Sequence, residues 1–177
     1  MRTGLLIALG IGSALAFAGT VFAQQPAPAP PPAAPAAPAA VPPPDYGAPI
    51  NNEQAKAVAA AAFAEAKKNN WRMAFTIVGP AGELVYFEKM DGTQMASTEI
   101  AQGKARTAAF YRRPTKVFAD QYAAGNTTFL TFPQPPVASE GGVPITLNGK
   151  IIGAIGASGG TGQQDGMAAA AGASAAK

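Results

Sequence analysis

The architecture of this chain is written most plainly in Val143-Pro144-Ile145-Thr146-Leu147-Asn148-Gly149-Lys150-Ile151-Ile152-Gly153-Ala154-Ile155-Gly156-Ala157-Ser158-Gly159-Gly160. Two apolar runs, Val143 to Leu147 and Lys150 to Ser158, flank Asn148-Gly149, the dipeptide that fits a type I′ turn because both central residues need positive φ. The stretch therefore predicts a β-hairpin. In its second strand Ile151 and Ile155 point one way and Ile152 and Ala154 the other, so neither face is built for water. Gly159-Gly160-Thr161-Gly162 then leads into a helix from about Asp165 to Ala175.

The same logic applies upstream. Asn51 can cap a helix and Gln54 can complete a capping box. Ala55, Val58, Ala59, Ala62, Phe63 and Ala66 recur at helical spacing, and Lys67 and Lys68 place cations at the negative end of the helix dipole. Met73 to Val78 and Leu84 to Met90 read as a first hairpin across Gly79-Pro80-Ala81-Gly82. Ser97 or Thr98 can cap a second helix that stops before Pro114, since the residue preceding a proline disfavours the helical well. Thr115 restarts a short helix with Phe118 and Tyr122 one turn apart. A long irregular stretch from Gly125 to Gly142 follows, and connections of that length cover something or line a site.

Helix, hairpin, helix, short helix, hairpin, helix is the order of an α+β fold, an antiparallel sheet with helices packed on one face. An open second face then calls for a partner. A symmetric copy of the chain is the commonest one, so a homo-oligomer is expected.

Before this domain, here taken as residues 45–177, come two segments of different character. Arg2 and the apolar run Leu5 to Ala23, ending Val21-Phe22-Ala23, have the form of a cleavable signal peptide (residues 1–23), which predicts a periplasmic or secreted protein. Residues 24–44 are almost entirely Pro and Ala, a polyproline-type spacer of about 3.1 Å per residue that reaches on the order of 60 Å. A tether of this kind implies a membrane or cell-envelope partner.

Composition narrows the chemistry. The chain contains no Cys and no His, which removes disulfides, thiolate nucleophiles, the usual zinc ligands and the Ser-His-Asp triad. A formal charge of +3, part of it from Arg2, with scattered basic residues, carries no nucleic-acid signal. Gly141-Gly142 and Ser158-Gly159-Gly160 permit close approach and free N–H groups, the second set just before a helix N-terminus, where a small anionic ligand is favoured. The plainer reading of these glycines is tight strand-to-helix geometry. Neither a Walker A nor a Rossmann pattern is present.

Lys104 falls on the apolar side of its helix, where it can meet an anionic ligand, Glu99 or Glu140. Tyr111 and Tyr122 are candidate phenolate ligands for haem iron or core aromatics. Met73, Met90, Met95 and Met167 can offer thioethers or fill gaps. Asp165 can cap the last helix or act as a base.

Three segments together, Ser97-Thr98-Glu99-Ile100-Ala101-Gln102-Gly103-Lys104-Ala105-Arg106-Thr107-Ala108, Gly141-Gly142-Val143-Pro144-Ile145 and Gly153-Ala154-Ile155-Gly156-Ala157-Ser158-Gly159-Gly160 with Asp165 soon after, resemble the GlcG/HbpS-like family of haem-binding proteins, often labelled haem-degrading. The resemblance covers the domain from Ile50 onward. It implies a profilin-like or PAS-like fold, homo-oligomers and haem as a cofactor in some members. The candidate ligand contacts are Lys104, Glu140, Gly141, Gly142, Pro144, Ser158, Gly159 and Gly160. Gly79-Pro80 stands where an Asp is common in the family, and the histidines that some relatives use for haem have no counterpart. Two function classes stay open: a binding module for haem or another small anion, and an enzyme of small-acid or haem-breakdown chemistry using Lys and carboxylate groups. A purely structural assembly is a third.

Overall fold

The computed structural model describes residues 42–177, so the expected signal peptide and nearly all of the expected spacer lie outside the described residues. The elements are α1 (Asn52–Lys68), β1 (Ala74–Val78), β2 (Leu84–Lys89), α2 (Ser97–Tyr111), α3 (Lys116–Ala123), a 3₁₀ turn (Thr128–Thr131), β3 (Gly142–Leu147), β4 (Lys150–Ser158) and α4 (Gly162–Ala173). The four strands form one antiparallel sheet in the order β2-β1-β4-β3. Among the described residues no helix is long and apolar enough to cross a membrane.

Local chemistry explains most boundaries. Asn51 accepts from the Gln54 amide and Gln54 reaches back, so the capping box that opens α1 is formed. Asn148 and Gly149 have φ of 51° and 74°, as the hairpin turn requires. The second helix ends three residues before Pro114, with Arg112 in the left-handed region at φ 53°. Pro144 lies on β3, the sheet edge, where a missing N–H costs no ladder bond.

The α+β class and the antiparallel sheet are as expected, but the layering is a correction. Ile155 and Gly156 are adjacent on β4 and so face opposite sides of the sheet. The Ile155 side chain reaches α4 at Gly172, whereas a Cβ on Gly156 would strike the Ala101 carbonyl of α2. Thus α1 and α4 cover one face and α2 the other. The larger core gathers Phe75, Ile77, Ile145 and Ile155 under Val58 and Ala62 of α1 and Ala168 and Ala169 of α4. The smaller one joins Val78 and Ala154 to Ala105, Ala108 and Ala109 of α2. Every residue of β4 after Lys150 is buried, so its doubly apolar pattern is met within one chain. The open face on which homo-oligomer formation was expected is closed by α2.

Two helix starts also differ. No side chain caps α2: Ser97 lies inside its first turn, fully buried, and its Oγ accepts from the Ser158 hydroxyl. The last helix begins at Gly162, three residues early, because Thr161 and Gln164 form its capping box and release Asp165 for another contact.

The smaller core is thin because its helix lies almost on the strands. Gly156 and Gly142 are paired across β4 and β3, and a Cβ on Gly142 would meet the Lys104 carbonyl as one on Gly156 would meet that of Ala101. A Gly156→Ala substitution should therefore lift α2 and destabilise the domain by about 1–3 kcal/mol, the range for overpacking a well-packed site. Urea unfolding, followed by circular dichroism, reads that loss as a lower midpoint at an unchanged slope.

Candidate functional site

The two glycine corners converge, and what they enclose is the protein's own carboxylate. Lys104 points from α2 past the end of β4, where its Nζ donates to Asp165 Oδ2 at 2.7 Å and to the Ala157 carbonyl at 3.1 Å. Lys104 is 1% and Asp165 3% exposed. The Gly160 amide donates to Asp165 Oδ1 at 2.9 Å, and the Gly159 amide beside it also favours the charged carboxylate. Gly141, at φ 124°, leaves the room for the pair: a Cβ there would come within 2.9 Å of Lys104 Nζ and 2.7 Å of Asp165 Cβ.

The partner of Lys104 is thus Asp165, not Glu99 or Glu140. Glu99 is exposed in the first turn of α2, while Glu140 packs over Gly162 and Gly166 of α4. The amide of Gly142 is likewise committed, to Thr115 Oγ1 at 2.9 Å, and Ser158 spends its hydroxyl on Ser97. The donors that the sequence offers to a guest anion at Gly142 and Gly160 are taken up inside the fold. An incoming carboxylate at this corner would have to displace Asp165.

Removing two charges from water costs several kcal/mol per ion, offset here by the short contact and by the further bonds to Ala157 and Gly160. Burial pushes the Asp165 carboxyl up from its ordinary value of 3.8, with Lys104 and the two glycine amides opposing the shift. A carboxyl raised in the fold takes up a proton on folding just above pH 3.8. Burial by itself therefore favours the protonated carboxyl, and that contribution is lost as pH rises through the raised value.

The tyrosines occupy a separate aromatic cluster. Tyr111 meets Phe118 edge-on at 5.0 Å and stacks on Phe132 at 6.3 Å, and its hydroxyl donates to the Gln134 carbonyl at 2.6 Å. Tyr122 is exposed on α3. Of the methionines, Met73 is fully buried, Met95 and Met167 are exposed, and Met90 is half-buried.

Met90 belongs to a cleft that sequence reasoning missed. At the end of α1, Asn70 takes φ 57°, and the Asn70 and Trp71 amides bond back to the Lys67 and Ala66 carbonyls, a Schellman turn. This turn delivers Asn70, Trp71 and Arg72 to the rim between two lobes. One, of about 340 Å³, is lined by Phe63, Lys67, Met90 and Asp91 with the three turn residues. The other, of about 510 Å³, is lined by the same three with Gly92, Gln94, Gly159, Gly160 and Gln164. Lys67 and Arg72 form no ion pair among the described residues. A signal was available: the chain's single Trp sits beside an Arg just past two helix-ending lysines.

A family profile described as "Haem degrading protein HbpS-like" matches residues 50–174. Protein GlcG of Escherichia coli strain K12 is 41% identical over 109 residues, 62% of this chain and 81% of that protein. The crystal structure of HbpS superposes with a TM-score of 0.66 at 29% identity, covering 72% of this chain and 90% of its own. That of a PduOC:haem complex gives 0.66 at 24% identity, over 72% and 94%, a likeness of fold.

Breaking the buried pair from one side strands a charge. Lys104→Met or Asp165→Asn alone should cost about 3–5 kcal/mol, whereas the apolar double variant Lys104→Met/Asp165→Leu should recover most of that loss. Denaturant unfolding of the three variants measures the coupling directly.

Proposed function

The chain belongs to the HbpS-like family, and from that premise we propose that it is an exported, homo-oligomeric binding protein for haem or another small anionic ligand, held on its spacer as an accessory to sensing or oxidative-stress handling. The observation that carries the ligand is the cleft at the end of α1. Phe63, Trp71 and Met90 offer an apolar wall, and Lys67 and Arg72 stand over it as cations without a carboxylate partner among the described residues. A flat apolar body with carboxylates at one edge fits such a site, which has the size usual for small-molecule pockets.

These residues fit haem in chemical type. Bound iron would supply redox chemistry; the chain's part is to exclude water with Phe63 and Trp71, and to pair Lys67 and Arg72 with the carboxylates. Export rests on the leader at residues 1–23, and the envelope partner on the spacer. For self-association, the exposed apolar side chains Phe110, Leu130 and Phe132 are surface that a second copy would cover. The catalytic alternative would draw on Lys104 or Glu140; the Lys104 ammonium is already held by Asp165 and Ala157, which favours binding over turnover.

Titration of the purified protein with hemin tests the reading. A saturable Soret shift is expected, weakening as salt screens the two cations. A linear, unsaturable absorbance change removes haem from the account.

A further inference from the structure

Without histidine or cysteine, only a few side chains can reach haem iron: tyrosine, methionine, lysine or threonine. The fold places the tyrosines, methionines and lysine singled out in the sequence as follows. The Tyr111 hydroxyl is bonded to Gln134 and its ring is wedged between Phe118 and Phe132, while Phe118 and Phe129 close the same cluster edge to edge at 5.6 Å. Phe118 and Phe129 are buried, and Tyr111 lines a cleft of about 330 Å³ with them, Phe132 and Arg113, where its hydroxyl proton is committed to the Gln134 carbonyl. Tyr122 is 55% exposed and lies outside that cleft's lining. Lys104 is sealed in its ion pair. Met73 is fully buried, and Met95 and Met167 lie open to solvent.

Met90 is different on two counts. It forms, with Phe63 and Trp71, the apolar wall of a cleft otherwise lined by Lys67, Asn70, Arg72 and Asp91, and its backbone is pinned on both sides. Its amide donates to the Met73 carbonyl at 2.9 Å, and its own carbonyl accepts from Thr93 Oγ1 at 2.8 Å. Thr93 is itself buried and reaches the Met73 carbonyl as well. A ligand on a fixed backbone keeps its position without a loop having to order around the metal. Across the cleft, Arg72 leans on Gly92, where a Cβ would come within 2.8 Å of its Nη1. That bare glycine lets the guanidinium lie along the rim shared by both lobes.

We propose that the thioether of Met90 is the protein's ligand to haem iron, with Trp71 against the macrocycle and Lys67 and Arg72 pairing with the two carboxylates. The inference rests on the haem reading above and goes beyond it in naming the site and the donor. It moves the iron ligand away from Tyr111 and Tyr122, and it carries an electronic consequence. A soft, neutral thioether favours ferrous over ferric iron, where a phenolate would do the reverse.

The test compares wild type, Met90→Leu, Lys67→Glu/Arg72→Glu and Tyr111→Phe, each titrated with hemin and again after reduction under carbon monoxide. Met90→Leu conserves volume, and the charge reversals are at exposed positions, so circular dichroism should show all four folded. In the diamagnetic carbonmonoxy form of the wild type, one methionine methyl proton resonance is expected far upfield, shifted by the porphyrin ring current and lost in Met90→Leu. The double charge reversal should weaken hemin binding about tenfold or more, the scale of a lost charge-assisted hydrogen bond. Tyr111→Phe should change neither spectrum nor affinity.

If wild type binds hemin saturably but Met90→Leu keeps the methyl signal, or Tyr111→Phe alters the ferric spectrum, the Met90 assignment is overturned while haem binding stands. If wild type does not bind hemin, both fall together.

Discussion

The ion pair between Lys104 and Asp165 is the constraint around which this domain is arranged. Its two residues come from helices on opposite faces of the sheet, so it passes around the end of β4 and ties the layers together there. Nothing else at that end could do so cheaply, because the space is set by backbone. Gly141 must lack a side chain for the ammonium to pass, and Gly142 and Gly156 must lack one for α2 to come down far enough to deliver it. The sheet, the glycines and the buried charges therefore form one arrangement, and a change in any of them is felt by the others.

That arrangement also settles what the glycine corner is for. Amides preceding a helix N-terminus attract an anion, and the first carboxylate in reach is the one on the helix's own first turn. With Asp165 held by the Gly160 amide and by Lys104, the corner is occupied from within. Gly159 and Gly160 still touch the outside through the larger lobe of the neighbouring cleft. The domain thus spends its strongest electrostatics on structure, and the proposed binding surface is the more open cleft beside it, where Lys67 and Arg72 form no ion pair among the described residues.

Features governed by local chemistry were legible in the sequence. Asn148-Gly149 fixes its turn because few other dipeptides tolerate two positive φ values, and Asn51 with Gln54 opens α1 through bonds only three residues apart. Features governed by contacts distant in sequence were not. Whether α2 shares a layer with α1 or covers the other face depends on which side of β4 it lands, and Ile151 to Ala157 are apolar or small on both. Asp165 reads as a cap because it stands close to a helix start; its pairing with a lysine 61 positions earlier exists only in three dimensions. The cleft is harder still. Phe63, Trp71, Met90 and Gly160 look unrelated along the chain and are joined by a turn whose geometry hangs on the left-handed conformation of Asn70.

The proposed function rests on a division of labour, in which Asp165 fills the anion place at the glycine corner and the cleft beside it is left for a ligand. A crystal structure of the haem-loaded protein examines both halves at once. The account predicts density for the macrocycle against Trp71 and Met90, with Asp165 still bonded to Lys104 and to the amide of Gly160. Density for a haem carboxylate on the Gly159 and Gly160 amides, with the Asp165 side chain turned away, would contradict it.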